Sequence, residues 1–195
     1  MTKKYITLAF LFFLLFLQTP YVHGWDNKRR GFILGFGLGS GFTSFDDHKE
    51  DGGKNRQYKL PVMIDFKIGY SINDLWQIYW TTKNSFFRLP LGFDPNTGSK
   101  EDVTMWRQVS GLGCSYFFKP EAPSPFIVAG IGRAAFAEFW PSERDGGEST
   151  ERLGLFGGGG FEFSPGWSLE MVVCWDNIPG REFLSLRTTV NVLWY

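Results

Sequence analysis

Seven charged side chains sit on alternate positions inside otherwise apolar or aromatic runs: Lys59, Asp65, Lys67, Glu162, Glu170, Asp176 and Arg187. Charges placed this way can form a structural network, line a narrow gated pore, or hold a small polar ligand. Wherever they are buried they must be paired and hydrogen-bonded, because an isolated buried charge is costly. The three bases and four acids can pair with one acid in excess. Signals for catalysis are sparse. After residue 24 the chain has His48 alone as a histidine, in a charged stretch, so a Ser-His-Asp arrangement would need a loop residue. No HExxH, CxxC or Walker pattern is present. The run Gly37-Leu38-Gly39-Ser40-Gly41 is glycine-rich, but no helical pattern follows it. Its serine stands fourth, not third as a nucleophile elbow requires. No enzymatic activity, cofactor or metal site is expected. Cys114 and Cys174 fall on strands that are not neighbours and on opposite phases, which disfavours a disulfide. Neither has a metal-ligand partner at motif spacing.

The elements that must position these charges are strands. Phe32, Leu34, Phe36 and Leu38 alternate with Ile33, Gly35, Gly37 and Gly39. Tyr58, Leu60, Val62, Ile64, Phe66, Ile68 and Tyr70 alternate with Lys59, Pro61, Met63, Asp65, Lys67 and Gly69. Six more runs follow, over residues 75–83, 104–118, 126–139, 153–163, 167–176 and 186–194. Each is period-2, greasy on one face and small or polar on the other. Pro61 cannot donate to a ladder, so it predicts a bulge or a frayed pairing. Arg133 obscures the phase of its strand, since without a bulge it would point to the greasy side.

Residues 1–24 read differently. Lys3 and Lys4 precede a twelve-residue apolar core from Ile6 to Leu17, and Val22 and Gly24 are small residues ahead of Trp25. This is a secretory signal pattern with cleavage between Gly24 and Trp25, too short for a comfortable spanning helix. It leaves one mature domain, residues 25–195. Removing Lys3 and Lys4 from 20 basic side chains against 20 acidic ones leaves a net charge of −2, which predicts no nucleic-acid partner. Glycine (24 residues) and aromatics (18%) are abundant, while mean hydropathy is only −0.15. A membrane barrel reconciles these values, because only alternate residues of each strand face lipid.

The connections alternate between long and short. Residues 46–56, 84–103 and 140–152 read as long polar loops, and residues 71–74, 119–125 and 164–166 as short turns. The final loop, 177–181, is short for its side. Eight strands return both termini to the short-turn, periplasmic side. Tyr70, Trp76, Tyr116, Phe118, Phe126, Trp167 and Trp194 mark one end of the strands; Tyr58, Trp80, Trp106, Phe139, Trp140, Trp175 and Phe183 mark the other. Aromatics there predict two headgroup-level girdles.

Five segments, GFILGFGLGSG, PFIVAGIGRAAF, GGGGFEF, WSLEMVV and RTTVNVLWY, occur in this order across the mature chain. Together they resemble the small eight-stranded outer-membrane barrels: the OmpA transmembrane-domain and OmpX-like superfamily, with its opacity-type surface proteins. The resemblance implies an all-β, antiparallel up-and-down transmembrane barrel in the outer membrane of a Gram-negative-type bacterium. It implies outer-membrane lipid as a partner and barrel-insertion machinery that reads the C-terminal strand. Members usually end on an aromatic in phase with the lipid face; here Trp194 keeps that phase and Tyr195 is one residue extra.

Two functions fit. One is a structural or surface-interaction, adhesin-like module whose interior is plugged by charge and whose outer loops meet a surface ligand. The other is a narrow pore or transport protein. The cluster Phe86, Phe87, Leu89, Leu91 and Phe93 in the second loop favours contacts, unless the strand before it simply extends. A soluble lipocalin-like barrel would reverse the two faces. Ile64→Arg is expected to cost about 2–4 kcal/mol on the lipid face, and Met63→Arg less, since Met63 faces a polar lumen.

Overall fold

The computed structural model describes residues 28–48, 54–93, 100–140, 152–178 and 181–195. The proposed cleavage site, Gly24 and Trp25, lies outside them. Nine β segments form one closed antiparallel wall: β1 (Gly31–His48), β2 (Lys54–Lys59), β3 (Val62–Ser71), β4 (Trp76–Phe93), β5 (Lys100–Phe117), β6 (Ser124–Trp140), β7 (Arg152–Ser164), β8 (Trp167–Ile178) and β9 (Arg181–Trp194). β2 and β3 are two parts of one strand. Thr43 faces Lys59 and Ser40 faces Val62, so the register is unchanged across Leu60 and Pro61. The missing N–H of Pro61 frays the ladder without a bulge. β1 pairs with β9 and closes an eight-stranded barrel.

The wall is strongly staggered. Following register partners round it, Tyr58 meets Ser44, Leu184, Trp175, Leu155, Ile131, Leu112, Trp80 and finally Ile68, ten residues further along the starting strand. With ordinary strand rise and spacing, that stagger tilts the strands by about 40°.

Side-chain phase follows the alternation. The Phe32-to-Leu38 set, Val62, Phe66 and Ile68, the Trp76-to-Trp80 set, Ile127 and Ile131, and the Trp167-to-Val173 set are exposed on the outside. Asp65, Lys67, Glu162, Glu170, Asp176 and Arg187 are buried inside. An apolar outside and a charged inside is the reverse of a lipocalin. At Arg133 the register runs without interruption from Ser110 across to Leu153, so Arg133 points outward; the irregularity between β5 and β6 falls at Thr104 and Met105 instead.

Several sequence expectations change. The strands continue well past the expected loop boundaries. Asp46 pairs with Arg56 and His48 with Lys54, so His48 ends a strand. Phe86 pairs with Trp106 and Leu89 with Val103, so the Phe86-to-Phe93 cluster belongs to an extended β4, and Phe87 is buried inside. The intervening connections lie outside the described residues. Phe126 and Phe183 are not girdle residues: both are buried in the lumen. Trp80 faces out but sits low on the long β4. The turn-end girdle is real, with Trp76 against Tyr116 at 4.8 Å and Tyr116 against Phe118 at 5.3 Å. The side chains of Phe139 and Trp140 are outside the described set.

Inward glycines make room for long neighbours. A Cβ on Gly130 would lie 2.1 Å from the Phe156 ring, and one on Gly113 would lie 2.7 Å from the Tyr79 ring. The lumen is therefore full, which alters the expectation for Met63. Met63 faces inward as expected but is 0% exposed. Met63→Arg must overpack a closed lumen and add a cation beside Arg187, so it should cost about as much as Ile64→Arg, a few kcal/mol each. Urea unfolding in lipid vesicles checks this; a Met63→Arg protein of native stability would mean a roomy, hydrated lumen.

Candidate functional site: a closed lumen

The luminal side chains stack in layers from the turn end to the loop end. At the turn end, Arg29 precedes β1 on the inward phase. Its Nε donates to Glu162 Oε2 at 2.7 Å, and its Nη2 donates to the same oxygen. Its Nη1 donates to the Asp74 carbonyl at 3.0 Å and the Lys119 carbonyl at 2.7 Å. Its guanidinium lies 4.2 Å from the centre of the Phe117 ring. Glu162 Oε1 accepts from the Gly166 amide at 3.2 Å and the Tyr195 hydroxyl at 3.1 Å. Burial, with the Glu162 carboxylate beside it, pushes the Tyr195 phenol up and keeps it a donor. The extra C-terminal residue thus turns to a luminal partner while Trp194 holds the outward phase. Through Arg29 and Glu162, all three short turns and the last residue are tied together.

Above this lies an ionic cluster. Glu170 accepts from Lys67 and, at 2.7 Å, from Lys83. Lys83 also donates to Asp65 at 3.0 Å. Arg187 donates to Asp65 and, at 2.6 Å, to the Ser85 hydroxyl. Lys67 and Lys83 each lie 5.2 Å from an aromatic centre, that of Tyr79 and that of Phe156. Higher again, Arg107 Nε donates to Asp176 Oδ2 at 2.9 Å, and the same guanidinium reaches Ser185.

Four phenylalanines close the loop end in a ring. Phe45 meets Phe87 at 6.0 Å and Phe183 at 5.3 Å, while Phe136 meets Phe87 at 6.3 Å and Phe183 at 5.1 Å. Arg107 sits beneath, 5.4 Å from the Phe183 ring centre. Apart from Phe136, these rings are at most 4% exposed.

Of the seven residues singled out from sequence, Asp65, Lys67, Glu170 and Arg187 share one network. Asp176 pairs separately with Arg107, and Glu162 belongs to the turn-end latch. Lys59 is the exception. It stands at the end of β2, beside the frayed Pro61, half-buried and in none of these ion pairs. Sequence reasoning missed Arg29, Lys83 and Arg107. Phase gives away Lys83 and Arg107, which continue the inward alternation of β4 and β5 outside the hydrophobic run that marks each strand, whereas Arg29 precedes β1 and has no alternation to place it. Among the described residues, and with Lys59 set apart, the luminal ion pairs join five cations to four carboxylates, an excess of one cation rather than one acid. Cys174 faces this lumen and Cys114 faces out from β5, and both are free thiols. No His/Cys/Asp/Glu group among the described residues has the makings of a metal site.

No protein-family model and no curated protein matches the chain. Solved structures do. Ail, the attachment invasion locus protein of Yersinia pestis, in complex with the heparin analogue sucrose octasulfate, aligns over 85% of this chain and 99% of its own at 11% identity, with a TM-score of 0.55. Neisserial surface protein A covers 80% of this chain and 96% of its own at 13% identity, with a TM-score of 0.48. OprG from Pseudomonas aeruginosa covers 87% and 98% at 13% identity, also with a TM-score of 0.48. The alignment with Ail shows the fold, that of the small eight-stranded outer-membrane barrels.

Proposed function

We propose that this protein is an outer-membrane anchor whose working parts are its outer connections, with a lumen sealed against ions and no enzymatic activity. The single observation that carries this reading is the closure of the lumen at three levels: the Arg29–Glu162 latch, the Lys67–Glu170–Lys83–Asp65–Arg187 cluster, and the phenylalanine ring. An eight-stranded barrel is just wide enough for side chains to fill, and here they fill it. The apolar outside supports residence in an outer membrane, since soluble proteins rarely expose a contiguous apolar surface of this kind. Activity then falls to the outer connections that follow β1, β4 and β6, and the paired strands run further toward them than the loop bounds read from sequence.

The test is electrical. The protein should fractionate with outer membranes and change its gel migration on boiling. In planar bilayers it should show no steady conductance, with or without trimmed outer connections. Recovery as a soluble periplasmic protein would refute the anchor, and an ion-selective current that survives trimming would favour the pore.

A further inference from the structure

The wall closes below Leu60 and opens above it. Val62 and Phe86 are the last partners between β3 and β4. Beyond them β2 pairs with β1 alone and β4 with β5 alone, and no ladder joins β2 to β4. Two hairpins, β1–β2 and β4–β5, therefore flank a cleft. Phe86 faces Trp106, so the cleft starts at the outer girdle and opens away from the membrane. Its walls are the six residues of β2 and residues 87–93 of β4, each about 20 Å long at ordinary strand rise. Tyr58 and Leu60 are 69% and 70% exposed, more than any other large apolar side chain among the described residues, because no strand covers their β4 side.

Successive residues of an antiparallel strand bond to opposite neighbours, which identifies the backbone that faces the cleft. The Phe117 amide donates to the Leu75 carbonyl, so odd-numbered residues of β4 serve β5 and even-numbered ones face the other way. The Ile72 amide donates to the Trp76 carbonyl, which turns even-numbered residues of β3, and of β2 in the same register, toward β4. Arg56 and Tyr58 on β2, and Arg88 on β4, thus present N–H and C=O groups to the cleft with no strand to meet them. Pro90 is even-numbered too and lacks its N–H on that same edge, where a proline costs no ladder bond. The sign of the cleft is positive. Lys59, half-buried at its foot, and Arg88, exposed on its outer side, are in no ion pair among the described residues. Asp46, the carboxylate opposite Arg56, is held by Arg56. Two facing edges admit a single strand between them and exclude the edge of a second barrel, which is backed by its own wall. We propose that the cleft binds an extended, acidic segment of another protein by strand addition, the backbone of that segment pairing with Arg56, Tyr58 and Arg88 and its carboxylates meeting Lys59 and Arg88.

This inference rests on the reading of the protein as a sealed anchor with working outer connections, so the experiment separates the two. The full mature chain is folded in detergent and titrated with a capped, fluorescent decapeptide of alternating threonine and glutamate. Its counterparts carry lysine in place of glutamate, or the same glutamates with N-methyl groups on alternate residues, which keep the charge and remove the ladder donors. Wild type should bind the acidic peptide at least about tenfold more tightly than either counterpart. Lys59→Gln and Arg88→Gln should each weaken binding several-fold, while Lys119→Gln, which removes an exposed charge at the turn end, should leave it unchanged. Bound peptide should slow amide exchange at Arg56, Tyr58 and Arg88. Equal binding of the N-methylated peptide would reduce the contact to charge and overturn strand addition, as would unslowed exchange at those three amides. Equal binding of the lysine peptide, or full binding by the Lys59→Gln/Arg88→Gln double variant, would overturn the acidic preference. Amides already protected without peptide, in a particle with the mass of two copies, would make the occupant a second chain and overturn the proposal too. Conductance is recorded on the same preparation. A steady current with the peptide bound would overturn the sealed anchor and leave the cleft standing, whereas a silent barrel that binds no peptide overturns the cleft alone.

Discussion

Glu170→Ala is expected to destabilise the barrel by about 3–5 kcal/mol, because it leaves buried cations without their counter-ion. Glu170 is the shared acceptor of Lys67 and Lys83. Lys83 keeps Asp65 when Glu170 is lost, but Asp65 must then serve Lys83 and Arg187 alone. Lys67 loses its carboxylate and keeps only the Tyr79 ring at 5.2 Å. It is 4% exposed, so water cannot replace the lost partner without entering the lumen. Removing the charge pair together should be far milder. In Lys67→Met/Glu170→Met, Lys83 still has Asp65, and buried ion pairs are often replaceable by apolar groups of similar volume. The double variant should recover at least half of the loss. Urea unfolding in lipid vesicles reads both. A loss below about 1 kcal/mol for Glu170→Ala would place the pair in the range of solvated salt bridges and mean that the lumen is wet.

The phase of nearly every strand was legible in the sequence because a one-residue slip would turn every lipid-facing side chain inward, so the alternation is enforced along the wall. That is why Ile64 and Met63, or Cys114 and Cys174, separate correctly on residue number alone. Strand ends were not legible. Hydrophobic alternation marks only the part of a strand that meets lipid, and β4 runs on to Phe93 with Arg88 among its outward residues. The aromatic residues near strand ends were ambiguous for the same reason: Phe126 and Phe183 occupy girdle heights but inward phases. The network's partners were beyond reach for a different reason. Lys83 meets Glu170 across the lumen, 87 positions away in sequence, and only the stagger of the wall brings them level. Arg29 was hidden because it precedes the first paired residue, where no alternation yet exists to assign it a side.

Arg29→Ala is expected to unfasten the turn end and leave the loop end as it is. One guanidinium there holds a carboxylate on β7 and the carbonyls of two turns. Without it, Glu162 is a 0% exposed carboxylate whose remaining donors are the Gly166 amide and the Tyr195 hydroxyl. Two neutral hydrogen bonds do not offset the desolvation of a full charge, so the cost should be about 3–5 kcal/mol. Arg29→Lys restores the charge but not the planar fork that reaches three acceptors at once, so it should recover only part. Tyr195→Phe removes a single hydrogen bond, worth about 1 kcal/mol. Location distinguishes a latch from a general loss of stability. Amide exchange in Arg29→Ala should rise first at Gly166 and Leu193, whose amide donates to the Gly166 carbonyl at 2.7 Å. It should not change at Ser44 or Leu184, which pair near the phenylalanine ring. Uniform acceleration at both ends would mean that Arg29 stabilises the barrel as a whole. Even a released latch should not create a channel, because the ionic cluster and the phenylalanine ring obstruct the same path in series. Conductance in Arg29→Ala alone would show that those upper layers do not seal, and the sealed-anchor reading would fall with them.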